Sequence, residues 1–217
     1  MPKNVERYSI SVSSPDRVES VEEKISLLTR NLFRQYDKLN ELILLYTSGR
    51  EKFELTLALI LKLHYFAMES IVPDAGKFRS GDVIISVSGH SPPPAEEVPR
   101  LVQELCDYVR VNWFEKSALP LASYCLWRLN WIHPFSEGNG VTARALSYLV
   151  LSIRLGVRLP GYDTIPAQIS ESKEEYYGAL EHADEAYRRG QIDVSELEAL
   201  LEKMMARQLI SASPTSP

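Results

Sequence analysis

The residues best suited to chemistry lie in one short segment, which reads His-Pro-Phe-Ser-Glu-Gly-Asn-Gly-Val-Thr-Ala-Arg from residue 133 to residue 144. Gly138 and Gly140 flank Asn139, and both residue types tolerate backbone conformations with positive φ. Successive amide N–H groups in such a turn can point into one concavity that binds an anion. The helix expected to follow adds the N–H groups of its first turn. The segment therefore predicts a phosphate-binding loop.

Other side chains of the segment supply the groups that a reaction at a phosphate requires. Arg144 lies one turn inside the expected helix and can reach back toward the same anion. Glu137 would repel a phosphate unless a divalent cation lay between them, which implies Mg²⁺. His133 lies at the rim of the loop, where a neutral imidazole can take a proton from an attacking hydroxyl. With Phe135 interpreted as a buried anchor, these residues predict transfer of a group from a nucleotide to an alcohol.

Two other interpretations of the segment are weaker. Residues 138–143 also fit the dinucleotide-binding pattern Gly-x-Gly-x-x-Ala, but that pattern follows a strand, and the residues before this loop are expected to be helical. His133 and Glu137 could ligate zinc, but neither cysteine lies near them and the other histidines are scattered along the sequence.

Composition narrows the class of protein. The chain has 217 residues and a net charge of −5, and it has no cluster of basic residues, which argues against nucleic acid as the main partner. Cys106 and Cys125 lie in apolar helical patterns and are expected to be buried free thiols. The first residues lack the apolar core of a secretory signal, and no apolar run is long enough to span a membrane. The expected location is the cytoplasm.

The hydrophobic pattern predicts a mostly α fold. Apolar residues recur three or four apart in seven segments, at 15–47, 51–71, 96–112, 118–132, 141–155, 172–189 and 194–210. Between the second and third segments, Val83, Ile84, Ile85 and Val87 are β-branched and predict a short β-hairpin, or flap, at about 77–94. We expect a lead-in and helix over 1–50, a core over 51–190, and a C-terminal helix with a disordered tail over 191–217.

The segment at 133–144 resembles the signature loop of the Fic family, His-Pro-Phe-x-Asp/Glu-Gly-Asn-Gly-Arg-x-x-Arg. Eight of the nine fixed positions match, and Val141 stands where the family has its first arginine. The resemblance extends over residues 76–186, and it includes the stretch Gly-Lys-Phe-Arg at 76–79 that enters the flap. It implies a Fic-type helical bundle with a short β-hairpin flap, in the AMP-transferase branch of the Fic/Doc superfamily.

The resemblance also implies an activity, which is transfer of AMP from ATP to a Tyr, Thr or Ser hydroxyl of a protein. His133 would then deprotonate the hydroxyl, and Glu137 would hold Mg²⁺ at the phosphates. Arg144 would contact the γ-phosphate, while the phosphates would be cradled by Gly138, Asn139 and Gly140. The target protein would add a strand to the flap, whose docking residues would be Val83, Ile84, Ile85, Ser86 and Val87.

Val141 keeps alternatives open. The missing arginine removes one charge-assisted phosphate contact, worth about 1.5–3 kcal/mol, or one to two decades of affinity. The chain could therefore be a slow AMP transferase, a related enzyme that uses another phosphate-containing donor, or a non-catalytic module that binds a nucleotide or a protein.

Regulation is the last expectation that the resemblance supports. Many Fic proteins are inhibited by the glutamate of a Ser/Thr-x-x-x-Glu-Gly/Asn helix. Residues 47–52 come close to this motif, with Glu51 as the candidate inhibitory glutamate, but Lys52 stands where Gly or Asn belongs. No intact inhibitory motif is present, so a separate inhibitory partner protein is the other candidate.

Overall fold

A computed structural model of the chain describes residues 9–10, 20–85 and 90–212. These residues form eight α-helices and one short 3-10 helix, Ala95–Glu97. The α-helices are α1 Val21–Thr47, α2 Leu57–Met68, α3 Val98–Asn112, α4 Ala118–Ile132, α5 Asn139–Leu155, α6 Ile165–Glu171, α7 Lys173–Arg188 and α8 Ser195–Ile210. None of the helices in this part of the chain is both long and apolar enough to cross a membrane.

Helices α4 and α5 form the centre of the core. Every residue from 121 to 130 and from 145 to 153 is buried, so both helices are covered on all sides, as their nearly uncharged sequences require. Helices α1 and α2 pack against α5, whereas α3, α7 and α8 pack against α4. The connection between α4 and α5 is the segment that starts at His133, so the predicted loop is held between the two most buried helices.

The mostly α fold predicted from the sequence is confirmed. The predicted segment 118–132 matches α4, and the two C-terminal segments match α7 and α8 within one residue at each end. Helix α2 begins later than expected because Thr56 caps it, its Oγ1 accepting a hydrogen bond from the N–H of Leu59 at 3.2 Å. The seven-residue helix α6 was missed. The predicted start of the first helix at residue 15 lies outside the described residues.

Helix α1 packs with polar as well as apolar side chains. Leu39 and Ile43 of its apolar stripe are buried, and so are Asn31 and Gln35, which donate hydrogen bonds to the backbone carbonyls of Glu69 and Leu63, at 2.8 and 2.9 Å. Carbonyl groups at the C-terminal end of a helix lack partners inside the helix, and Glu69 directly follows the last residue of α2. Asn31 thus caps the C-terminal end of α2, and both polar side chains fix the position of α1 on the core.

The flap differs from the predicted hairpin in its pairing. Its strand β2, Ile84–Ile85, pairs antiparallel with β1, Ser9–Ile10, from the segment expected to be an irregular lead-in. Val83 and Ile85 are buried and Ile84 is 75% exposed, so the strand covers the core with one face. The return side of the flap ends in prolines 92–94, which have no N–H to donate to a ladder. Ser86 and Val87 lie outside the described residues.

Candidate active site

Two residues with left-handed backbone conformations shape the loop between α4 and α5. His133 ends α4 with φ 52° and ψ 57°, and its N–H bonds to the carbonyl of Leu129 at 3.0 Å. Gly138 begins α5 with φ 78°. A Cβ atom at position 138 would lie 2.6 Å from Cγ of Met68 and 3.2 Å from Nε2 of His64. Glycine is therefore required at position 138 both by its φ angle and by the close approach of α2.

Asn139 closes the loop on itself. Its Oδ1 accepts a hydrogen bond from the N–H of Phe135 at 2.9 Å, and its Nδ2 donates one to the carbonyl of Phe135 at 2.8 Å. The side chain is only 3% exposed. The Asn139 side chain is thus committed to the structure of the loop, and only its backbone N–H is left to contact a phosphate.

His64 of α2 contacts the loop and helps to hold its conformation, a role that the sequence analysis did not predict. Its ring stacks on the buried ring of Phe135, with centroids 3.7 Å apart and planes within 1°. The N–H of Gly76 donates to Nδ1 at 2.9 Å, so the ring proton is on Nε2, which donates to the carbonyl of Glu137 at 3.0 Å. Burial lowers the pKa of His64 to about 4, so the ring is neutral at pH 7. The sequence feature that could have indicated this role was a histidine on the buried face of an apolar helix.

Arg79 is a second supporting residue that was not predicted. It is 4% exposed, and its Nε donates to the carbonyl of His133 at 2.8 Å. Its guanidinium also donates to the carbonyls of Gly81 and Pro93, on the two sides of the flap. Arg79 thereby fixes the flap to the loop. The signal in the sequence was its place in the segment that enters the flap.

The side chains that are predicted to act in catalysis belong to this loop and to the first turns of α5. Nδ1 of His133 lies 3.3 Å from the carbonyl of Asn130. Because a carbonyl only accepts hydrogen bonds, Nδ1 carries the proton, and Nε2 has the lone pair that could take a proton from a hydroxyl. Nη1 of Arg144 lies 3.2 Å from the place that a Cβ on Gly140 would occupy, so the glycine lets the guanidinium fold back over the start of α5. The first N–H groups of α5 have no acceptor inside the helix.

Glu137 is the only acidic side chain of the loop, and its chemistry fits a cation that arrives with a nucleotide. Its side chain is 41% exposed. Within the described residues, no group of three or more His, Cys, Asp or Glu side chains could hold a metal ion by itself. Mg²⁺ is commonly bound by one or two carboxylates, substrate phosphates and water. The residues present therefore fit Mg²⁺ bound together with phosphates.

Glu51, the candidate inhibitory glutamate, lies at the other end of α5 from Arg144. Two residues further on, Phe53 packs on Trp113 with centroids 4.8 Å apart, and the carbonyl of Trp113 accepts a hydrogen bond from Arg154. Arg154 and Arg144 are ten residues apart on one helix, or roughly 15 Å at 1.5 Å per residue. Glu51 therefore lies far from Arg144 in this conformation, and its inhibitory role stays a prediction.

The fold and the loop define a helical protein with a glycine-rich loop between two core helices, and comparisons with known proteins identify a family with this fold. The model of the Fic/DOC family matches residues 54–151, which include α2, the flap, α4 and the loop. The chain is 32% identical over 140 residues to the protein named protein adenylyltransferase Fic of Drosophila willistoni, and 33% identical over 141 residues to that of Drosophila virilis. Each match covers 62% of this chain and 26% of the relative. The chain thus spans about a quarter of the length of these curated relatives.

Solved structures share the fold. The chain superposes on a structure of Fic-1 from C. elegans with a TM-score of 0.68, at 22% identity, covering 89% of this chain and 52% of the other. It superposes on a Fic domain containing signaling protein from Bacteroides thetaiotaomicron with a TM-score of 0.66, at 20% identity, covering 89% and 72%. Residues 54–151 therefore form a Fic/DOC family domain.

Proposed function

We propose that this protein transfers AMP from ATP to a hydroxyl group of a target protein. The observation that carries the proposal is the loop at 133–144, which is held by buried contacts. It presents an imidazole, a carboxylate and the first N–H groups of α5 at one site. The similarity to relatives named protein adenylyltransferase supports the same reaction.

Each residue then has one task in the reaction. Nε2 of His133 takes the proton of the target hydroxyl, whose oxygen forms a bond to the α-phosphorus while the bond from that phosphorus to the β-phosphate oxygen breaks. Pyrophosphate leaves. Glu137 would hold Mg²⁺, which when bound neutralises charge on the phosphates. Arg144 and the N–H groups at the start of α5 bind the polyphosphate and orient the α-phosphorus toward the hydroxyl.

The flap is the proposed docking site for the target protein. Strand β2 already accepts Ser9–Ile10 as an added antiparallel strand, which supports docking of an extended target segment through backbone hydrogen bonds. Val83 and Ile85 anchor β2 in the core and leave Ile84 exposed. An edge of this kind suits many target sequences because it is recognised through the backbone.

Replacing Ile84 with proline is expected to lower the rate of modification of a protein target by roughly tenfold or more, since proline removes one N–H from the strand. The affinity for ATP, measured by titration calorimetry, should not change. Ile84→Ala is the matched control because it shortens the exposed side chain and keeps the N–H. Equal rates for Ile84→Pro and the unaltered protein would contradict docking at β2.

Val141 supports a second candidate function, in which the loop binds a nucleotide or another phosphate-containing donor without efficient AMP transfer. The side chain at this position is apolar and packs in a cluster with Met68 and Ile71. The loop therefore has no arginine of its own at the position where the family signature has its first one. A donor with fewer phosphates, or a purely binding role, would depend less on that charge.

Label transfer from ATP tests both candidates. The protein is incubated with Mg²⁺, a cell lysate and ATP that carries its label on either the α- or the γ-phosphate, with Glu137→Gln as the control. Protein-bound α-label that is lost in the control is the expected result. Protein-bound γ-label alone would mean phosphoryl transfer. No label from ATP, together with transfer from another α-labelled nucleotide or none at all, would favour the second candidate.

A further inference from the structure

The N-terminal half of α1 lies against the signature loop. Among residues 21–30, only Lys24, Leu27 and Leu28 are half-buried, and all the others are exposed. Residues three and four apart on a helix share one face. These three residues are therefore the face that α1 turns toward the loop.

Leu27 and Leu28 pack against the same apolar cluster as Val141, the position where the loop departs from the family signature. The cluster also contains side chains from the end of α2 and the turn that follows it. Val141 is half-buried. An apolar residue at position 141 therefore suits the apolar cluster to which α1 contributes.

Lys24 brings a positive charge to the same place. Its Nζ lies 3.7 Å from Oε2 of Glu137, and the two side chains are 34% and 41% exposed. This distance is too long for a hydrogen bond, and a pair so open to solvent contributes little to stability. The position of the ammonium group is what matters, because it lies at the carboxylate proposed to hold Mg²⁺ and one helical turn from the leucines that share an apolar cluster with Val141.

The helix that carries Lys24 is firmly held. Asn31, Arg34 and Gln35 donate hydrogen bonds to the carbonyls of Glu69, Phe66 and Leu63 at 2.8, 3.0 and 2.9 Å. These bonds begin two turns after Lys24 on the same face of α1. The ammonium is therefore presented by a fixed helix, and only its side chain needs to move.

We propose that Lys24 supplies from α1 the positive charge that the loop lacks at position 141, and that it contacts the β- or γ-phosphate of a bound nucleotide. This inference rests on the proposed nucleotide-dependent function. When Mg²⁺ occupies Glu137, the carboxylate no longer needs the ammonium as a partner, and Lys24 turns to a phosphate oxygen. A lysine binds phosphate as a flexible point charge, so it can replace the missing arginine without its planar geometry.

Nucleotide binding tests the inference without relying on turnover. Titration calorimetry with Mg²⁺ and the non-hydrolysable analogue adenosine 5′-(β,γ-imido)triphosphate should show affinity reduced roughly tenfold in Lys24→Ala, as expected for one charged contact. AMP, which lacks the two outer phosphates, should bind both proteins equally. Lys38→Ala is the matched control, because Lys38 lies on the same helix, with its Nζ 2.8 Å from Glu41. It should leave both affinities unchanged.

A second substitution makes the test specific for the charge. Adding Val141→Arg to Lys24→Ala should restore most of the lost affinity, because the arginine returns a cation to the loop. Circular dichroism of each variant checks that α1 remains helical. Unchanged or tighter binding in Lys24→Ala would overturn the inference, and tighter binding would mean that the ammonium blocks the site. An equal loss for AMP would also overturn it, and a folded unaltered protein that binds no nucleotide would instead remove the proposed function.

Discussion

Replacing His133 with alanine is expected to lower the rate of AMP transfer by roughly 100- to 10,000-fold, the usual contribution of a general base. Nδ1 of His133 faces the carbonyl of Asn130, so it carries the ring proton and the basic lone pair is on Nε2. The affinity for Mg²⁺ and ATP should change by less than about threefold, because the base acts only when the hydroxyl attacks. Single-turnover transfer of α-labelled AMP measures the rate, and calorimetry measures the affinity.

The backbone of His133 needs its own control. The residue has φ 52°, which few residue types tolerate, and its carbonyl accepts a hydrogen bond from Arg79. Asparagine tolerates this conformation better than alanine does and has no basic nitrogen. His133→Asn should therefore lose as much activity as His133→Ala and keep the melting temperature. If either variant retained more than about a tenth of the activity, His133 would not be the base.

Replacing His64 with leucine is expected to lower the free energy of unfolding by about 2–5 kcal/mol. The substitution leaves two half-buried groups without partners, the N–H of Gly76 and the carbonyl of Glu137, and each costs up to about 1–2.5 kcal/mol. The stacking on Phe135 is lost as well. Because the carbonyl belongs to the loop, binding of ATP should weaken together with stability. Urea denaturation at pH 7 measures the first effect and calorimetry the second.

His64 also makes stability depend on pH in a defined window. Its pKa falls from an ordinary value of 6.5 to about 4 in the folded protein, because burial disfavours the charged ring. Between these values the unfolded chain binds more protons than the folded protein, so stability falls as the pH is lowered from 6.5 to 4 and is complete above 6.5. The shift corresponds to about 3 kcal/mol.

His64→Gln separates this titration from the packing of the ring. Glutamine keeps an N–H donor and does not titrate, so the stability gap between the unaltered protein and His64→Gln should shrink by about 3 kcal/mol from pH 7 to pH 4. His182→Gln is the comparison, because His182 lies at the surface between Asp193 and Glu196. A gap for His64→Gln that stays constant across this range would show that His64 does not titrate as the structure implies.

The chemistry of the site could be predicted from the sequence because its residues lie in one continuous segment. A base, a carboxylate and a glycine-rich turn within twelve residues predict a phosphate site before any long-range contact is known. The supporting residues were not readable in this way. His64 is 73 residues from the carbonyl to which it donates, and Arg79 is 54 residues from the carbonyl of His133. Nothing local distinguishes such residues from an ordinary buried histidine or a surface arginine.

The side chain of Asn139 has a structural role that the sequence did not show. Asn139 was expected to help cradle the phosphates, which stays a prediction for its backbone N–H, while its side chain bonds the backbone of Phe135. An asparagine side chain can bond a ligand, the backbone or water, so the residue type could not show this role. The orientation of the side chain became clear only once α4 and α5 enclosed the loop.

The sequence by itself determined the helices of the core and the order of the loop residues, because hydrophobic periodicity and backbone preferences are local. It could not show that α1 also packs through Asn31 and Gln35, since these side chains donate hydrogen bonds to backbone carbonyls of α2 and of the residue that follows it. Nor could it show that β2 pairs with Ser9–Ile10, or that Lys24 lies beside Glu137. The pairing of β2 with Ser9–Ile10 and the Lys24–Glu137 pair both join residues more than 70 positions apart. Only the tertiary structure brings such residues together.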